Sequence, residues 1–150
     1  MDELDRRILR LLQRDGRMSN VDLARQANLS TAATHERVRR LRRDGVIEGY
    51  SVRLNPAKLG RALLVFVEIT LDRTAEDVFA AFARAVALRP EILECHMVAG
   101  GFDYLLKVRV RDMADYRDFL GRTLATLPGI RQTHTYTVME EVKNTADLPV

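Results

Sequence analysis

The feature that most constrains this chain is a rhythm in its second half. Residues 62–71 read as a strand, 74–88 as a helix and 92–98 as a strand. Residues 102–110, 112–127 and 130–142 then repeat strand, helix and strand. The helices follow from spacing: Val78, Phe79, Phe82, Ala85 and Val86 share one side of the first, and Tyr116, Leu120, Thr123, Leu124 and Leu127 one side of the second. Arg89-Pro90 and Pro128-Gly129 each punctuate the passage from helix to following strand. β-α-β twice over is the ferredoxin-like arrangement, so residues 62–150 are expected to form a βαββαβ domain. The two halves share little sequence, so the repeat is one of shape.

The strand faces add a partner. In 102–110, apolar Phe102, Tyr104, Leu106, Val108 and Val110 alternate with Asp103, Leu105, Lys107 and Arg109, the pattern of a half-buried strand. In 62–71, Leu63, Val65, Val67, Ile69 and Leu71 share one face, but Leu64 and Phe66 put apolar surface on the other. Two helices cover one face of a four-stranded sheet. The apolar part of the second face is expected to meet a second copy of the chain, giving a homodimer.

The first 54 residues are organised differently. Leu4, Ile8, Leu11 and Leu12 make the stripe of an amphipathic helix that Asp15-Gly16 ends. Ser19, three residues before Asp22, caps a short helix over Asn20–Ala27, and Asn28 is a left-handed stop. Ser30 caps a third helix that runs to Arg43. Three helices with a three-residue break between the last two spell helix-turn-helix. At 100° per residue, Thr34, Val38 and Leu41 face the core of that unit, and Ala32, Glu36, Arg39 and Arg43 face away. Thr31, His35 and Arg42 lie on one edge, Arg37 and Arg40 on the other. Five of the seven residues 37–43 are arginine. Small residues at a helix start admit the backbone to base edges, and arginines further along neutralise phosphate or read guanine. The candidate DNA-contacting set is therefore Ser30, Thr31, Ala32, His35, Arg37, Arg39, Arg40 and Arg43. Residues 46–54 are expected to supply a short wing strand and a connector bent at Gly49, and Asn55-Pro56 marks the boundary, with 55–61 as linker.

Charge agrees with this division. Residues 1–61 hold 14 Lys+Arg against 8 Asp+Glu, net +6, and 62–150 hold 10 against 13, net −3. A basic first part on an acidic second part points to an anionic polymer as the first part's partner. No apolar run exceeds six residues, as in 62–67, far short of the roughly 18 of a membrane span. The start Met1-Asp2-Glu3-Leu4-Asp5 is unlike a secretory leader, and a lone Cys95 allows no internal disulfide. A reducing cytoplasm is the expected compartment.

Catalysis is not expected. His96 and His134 stand in strands without metal-binding spacing, and neither a phosphate loop nor a GxSxG elbow occurs. No cofactor or metal is expected. Cys95 and His96 are adjacent in a strand and point to opposite faces. The link Val98-Ala99-Gly100-Gly101 has two readings: a hairpin turn with both glycines at positive φ, or exposed backbone amides beside the Asp103 carboxylate, groups that match a free amino acid.

These residues resemble the Lrp/AsnC family of bacterial and archaeal transcription regulators. The opening Leu4-Asp5-Arg6-x-Ile8-Leu9, the stretch from Asp15-Gly16-Arg17 to Leu23, and Glu36-Arg37-Val38-Arg39-Arg40-Leu41 are similar to the family's N-terminal part. So are Leu64–Leu71, Phe102-Asp103-Tyr104-Leu105-Leu106-Lys107 and Val138-Met139-Glu140-Glu141-Val142-Lys143 to its C-terminal part. The resemblance implies an α+β chain with an N-terminal winged helix-turn-helix and a C-terminal ferredoxin-like domain that senses amino acids. It implies dimers assembling into tetramers, octamers or larger, double-stranded DNA as a partner, and a cytoplasmic, nucleoid-associated protein. It places effector binding in a cleft between dimers, which selects Met97, Gly100, Gly101, Asp103, Met113, Tyr136, Thr137 and Val138. Leucine is the first effector it suggests. The chain lacks the longer N-terminal tail of some members, Thr31-Ala32-Ala33-Thr34-His35 replaces a pattern with proline at 31, and Gly101 stands where acidic residues or asparagine are frequent.

Three readings remain open at this stage. The first is a DNA-binding activator or repressor answering to an amino acid, a local proline-degradation activator being one form. The second is an architectural protein that coats DNA without a ligand, and the third a small-molecule enzyme built on the second half.

Overall fold

The computed structural model describes all 150 residues, Met1–Val150, which divide into two compact units. The first comprises Met1–Arg53 with Lys143–Val150, the second Leu54–Val142.

In the first unit, α1 (Glu3–Arg14), α2 (Asn20–Ala27) and α3 (Thr31–Arg43) fold as the spacing of apolar residues predicts. Asp2 caps α1 in a full capping box: its carboxylate accepts from the Asp5 N–H at 2.9 Å, and Asp5 accepts from the Asp2 N–H at 3.0 Å. Ser19 and Ser30 cap α2 and α3 through their hydroxyls. Asn28 takes φ 58° and ends α2, its backbone N–H reaching back into the helix. The three helices close over Ile8, Leu9, Leu23, Ala27 and Leu41, all buried, with Val38 and Ile47 packed against them. Burying each such aliphatic side chain contributes about 1.5–3 kcal/mol.

The expected wing is not formed. Residues 46–54 contain no strand. Val46 and Ile47 donate their N–H groups to Leu41 O, which ties this segment to the end of α3, and Tyr50 lays its ring on Gly16. The expected domain limits also shift. The 55–61 stretch folds as a turn with the second unit, Arg61 N–H donating to Pro56 O at 2.7 Å. The last eight residues pack with the first unit rather than the second. The Gln13 amide exchanges two hydrogen bonds with the Leu148 backbone (2.9 and 2.6 Å), Arg10 donates to Val150 O, and Arg53 to Asn144 O.

The second unit is the expected ferredoxin-like fold: β1 (Leu63–Leu71), α4 (Glu76–Ala87), β2 (Ile92–Met97), β3 (Tyr104–Val110), α5 (Met113–Arg122) and β4 (Ile130–Thr137). The sheet is antiparallel in the order β2-β3-β1-β4. The second expected helix is shorter than its spacing suggests and finishes in a 3₁₀ turn, Leu124–Thr126. Both helices lie on one face, over Val65, Val67, Ile69, Leu106 and Val108, with Phe82, Tyr116, Phe119 and Leu124 filling the layer. Gly129, at φ 74°, is required there, because a Cβ would come within 2.8 Å of Val78.

The strand expected over 130–142 ends at Thr137. Val138 makes one more bond to Leu64 O, and the chain then leaves the sheet, Glu141 pairing with Arg109 on β3. The face away from the helices carries Leu64, Phe66 and Glu68 of β1, Leu105 and Lys107 of β3, and His134 and Tyr136 of β4, as the register dictates. No helix is long and apolar enough to cross a membrane.

Candidate DNA-binding face and ligand turn

The exposed side of α3 is built from the residues whose helical angle points away from the core. Thr31, Ala32, His35, Glu36, Arg39, Arg42 and Arg43 are all exposed, whereas Thr34 and Leu41 are buried beneath them. Ser30 caps the helix and leaves its first turn open. Arg39 lies across its own helix on Glu36 through two hydrogen bonds of 3.0 Å, and Arg43 pairs with Asp44 at 2.9 Å. These are exposed pairs, weak enough to exchange for phosphate. The Arg39 contact holds the Glu36 carboxyl below its usual range.

Two arginines expected on phosphate, Arg37 and Arg40, are held in ion pairs with α1. Arg37 reaches Asp5 at 2.7 Å and Asp2 at 2.8 Å, and Arg40 reaches Asp5 at 2.8 Å. Asp5 is 1% exposed. Burial alone would raise its carboxyl, but the Asp2 N–H, Arg37 and Arg40 outweigh it and hold the group below the ordinary aspartate value. The helical angle put Arg37 and Arg40 on the edge beside α1, and a buried carboxylate on α1 claims both. Arg42, left out of the expected set, is exposed and holds no ion pair. Asn20, read only as a helix start, donates from Nδ2 to His35 Nδ1 at 3.1 Å. That contact joins α2 to α3, so spacing along one helix could not reveal it.

On the second unit, Val98 N–H donates to Asp103 O at 3.0 Å and closes a loop over residues 99–102. Neither Gly100 nor Gly101 has positive φ, so the tight-hairpin reading of the pair is corrected. A Cβ on either would meet nothing within 4 Å. Neither glycine is therefore required by the turn or by packing within the chain. Asp103 is already engaged: its Oδ2 accepts from the Leu71 N–H at 2.7 Å, and its own N–H donates to Ile69 O.

Within one chain the expected effector residues form two groups. Met97, Gly100, Gly101 and Asp103 gather where β1 ends, beside Ile69 and Leu71. Thr137 pairs with Val65 near the start of β1, with Met113 beside it and Val138 bonded to Leu64. Six residue steps along β1, from Val65 to Leu71, separate the groups, roughly 20 Å. Met97, Met113 and Tyr136 are exposed. Tyr136 lies on the open face, where its hydrogen bond to the Glu68 carboxylate raises its phenol. Cys95 points to the helix side and lines an apolar groove of about 480 Å³ between α4 and β2; burial pushes its thiol up.

A capped helix-turn-helix with an arginine-rich exposed third helix, joined to a sheet domain with an unstrained open glycine turn, defines a DNA-binding regulator with a ligand-binding domain. Residues 64–148 match the Lrp/AsnC ligand binding domain, and residues 1–48 match a winged helix-turn-helix DNA-binding domain. The chain belongs to the Lrp/AsnC family of transcription regulators. It is 56% identical over 150 residues to the leucine-responsive regulatory protein of Escherichia coli K12, covering all of this chain and 92% of that one. Among solved structures, a Neisseria meningitidis transcriptional regulator in complex with L-Met superposes with a TM-score of 0.94 at 32% identity, over 99% of this chain and 96% of that one. A feast or famine regulatory protein of M. tuberculosis complexed with L-methionine gives 0.85 at 34%, over 98% and 97%.

Proposed function

We propose that this chain is a cytoplasmic, nucleoid-associated regulator whose assembly and DNA affinity answer to a free amino acid, and that it acts by binding rather than by catalysis. One observation carries the reading: the two groups of effector residues lie at opposite ends of one sheet, roughly 20 Å apart, too far for one amino acid to touch both. A second copy presenting its Met113, Thr137 and Val138 to the turn at Gly100-Gly101 completes the site. Binding there then joins ligand occupancy to assembly, because the ligand favours whichever assembly contains the completed cleft.

The chemistry of the turn suits an amino acid. Free backbone amides beside two glycines receive a carboxylate, and the methionines Met97 and Met113 receive an aliphatic or thioether side chain. The relatives bear on the same class: one is named for leucine, and two were solved with methionine. Leucine is the first to test. The open sheet face, which carries Leu64, Phe66 and Leu105, the last two half-buried, is the proposed dimer surface. On DNA, Thr31, Ala32 and His35 approach bases, while Arg39, Arg42 and Arg43 serve phosphate, and dimers place two such helices on half-sites about 34–36 Å or its multiples apart.

Sedimentation of the full chain, alone and with each of the twenty amino acids, tests this, repeated on a DNA fragment from upstream of its own gene. One amino acid should shift assembly and DNA affinity together. DNA binding that no amino acid alters returns the architectural reading, and a response to proline alone points to a local regulator of proline use.

A further inference from the structure

The contact between Asn20 and His35 joins the two helices of the helix-turn-helix. Asn20 is the first residue of α2 and is half-buried, whereas His35 stands exposed on the second turn of α3. The Asn20 amide nitrogen lies 3.1 Å from His35 Nδ1. An amide nitrogen only donates, so Nδ1 must accept. A neutral imidazole that accepts at Nδ1 carries its proton on Nε2, the nitrogen directed away from Asn20.

We infer that Asn20 is a positioning residue that locks His35 as an Nε2–H donor, so that His35 selects a hydrogen-bond acceptor on DNA. The inference rests on the proposed reading that α3 contacts DNA. In the major groove the acceptors are the purine N7, guanine O6 and thymine O4; the exocyclic amino groups of cytosine and adenine are donors and are refused. A phosphate oxygen offers the same chemistry. The surroundings favour a base: His35 sits one turn beyond the small residues Thr31 and Ala32, and arginines at 39, 42 and 43 already supply cations further along the helix.

The lock is specific to asparagine in this orientation. Asn20→Asp keeps the size but replaces the donor with an acceptor. Nδ1 then takes a proton, and Nε2 of the neutral ring becomes an acceptor. Asn20→Ala leaves the tautomer to solvent.

Two measurements on the full chain test this. Long-range ¹H–¹⁵N spectra of the imidazoles should show His35 as the Nε2–H tautomer in the native chain, a mixture in Asn20→Ala, and Nδ1 protonated in Asn20→Asp. Nδ1–H in the native chain overturns the inference, as does a spectrum that Asn20→Ala leaves unchanged. Selection from duplexes with a randomised core then reads the consequence. His35→Ala and Asn20→Ala should each blur the same base position, with a loss of about 3- to 10-fold at the preferred site, the scale of one hydrogen bond, and the double variant should lose little more than either.

Replacing the purine at that position by its 7-deaza form identifies a base-edge acceptor. An even loss across all sequences, reproduced by a single methylphosphonate, identifies phosphate; either supports the donor role. If Arg39→Ala weakens binding but His35→Ala does not, the inference fails while the DNA reading stands. If neither matters, it is the DNA reading of α3 that has failed.

Discussion

At the scale of single residues, Asp5 shows how an acidic side chain holds a basic helix in place. It completes the capping box of α1 and accepts from Arg37 and Arg40, all while buried. Its carboxyl is held below the ordinary value, so its stabilising contribution is complete above the unfolded aspartate pKa of about 3.9 and is lost as pH falls through the lower folded value. Asp5→Ala should cost the first unit roughly 2 kcal/mol at neutral pH, the scale of a hydrogen-bonded charge. Acid titration of the two chains followed by circular dichroism checks the sign: the difference between them should shrink as pH drops below 4. A difference that persists to the lowest pH would move the effect from the carboxylate to packing. Gly101 makes the opposite case. Its φ is not positive and its Cβ space is empty, so Gly101→Ala should leave thermal stability unchanged or raise it by about 0.4–1 kcal/mol. The response to the effector should nonetheless fall, because the added methyl group occupies the ligand's approach. Unaltered uptake of the amino acid would remove the turn from the site.

At the scale of elements, α3 divides its arginines between exposed positions and ion pairs with α1, and the consequence of that division can be measured. Arg39 is 66% exposed at its side chain, Arg37 only 22% and tied to two aspartates. Arg39→Ala should flatten the dependence of log affinity on log salt by about one unit if it meets one phosphate. Arg37→Ala should leave that slope alone and lower the melting temperature of the helix-turn-helix unit. Filter binding over a salt series and a thermal scan separate the two; equal slope changes would mean that Asp2 and Asp5 release Arg37 on DNA. The same division shows what was legible beforehand. Caps at Ser19, Ser30 and Asn28, the buried stripe of α3 and the βαββαβ order follow from local spacing, and all were readable in the sequence. What local spacing could not carry is contact between distant segments. Asp5 claiming Arg37 across 32 positions, Leu41 O absorbing the donors of the supposed wing, and Gln13 gripping Leu148 each depend on tertiary placement. The conformation of the turn at Gly100-Gly101 could not be read from its residue types, because glycine permits positive φ without demanding it, and neither glycine adopts it.

At the scale of the whole molecule, the separation of the two groups proposed to bind the effector makes a prediction that no single chain can satisfy. The turn belongs to one end of the sheet and the Met113–Thr137 group to the other, so a cleft shared between copies draws one half from each. A bulky Gly101→Trp chain and a Thr137→Trp chain should each lose amino-acid binding when pure. Co-folded in equal amounts, they should recover it in about a quarter of the clefts, because a heterologous contact takes its two halves independently from the mixed copies. Isothermal titration of the mixed assembly counts those sites directly. If the site lay within one chain, every chain in the mixture would carry one defect and no binding would return. Recovered sites would also respond through assembly, since a ligand held by two copies stabilises only the states in which those copies meet.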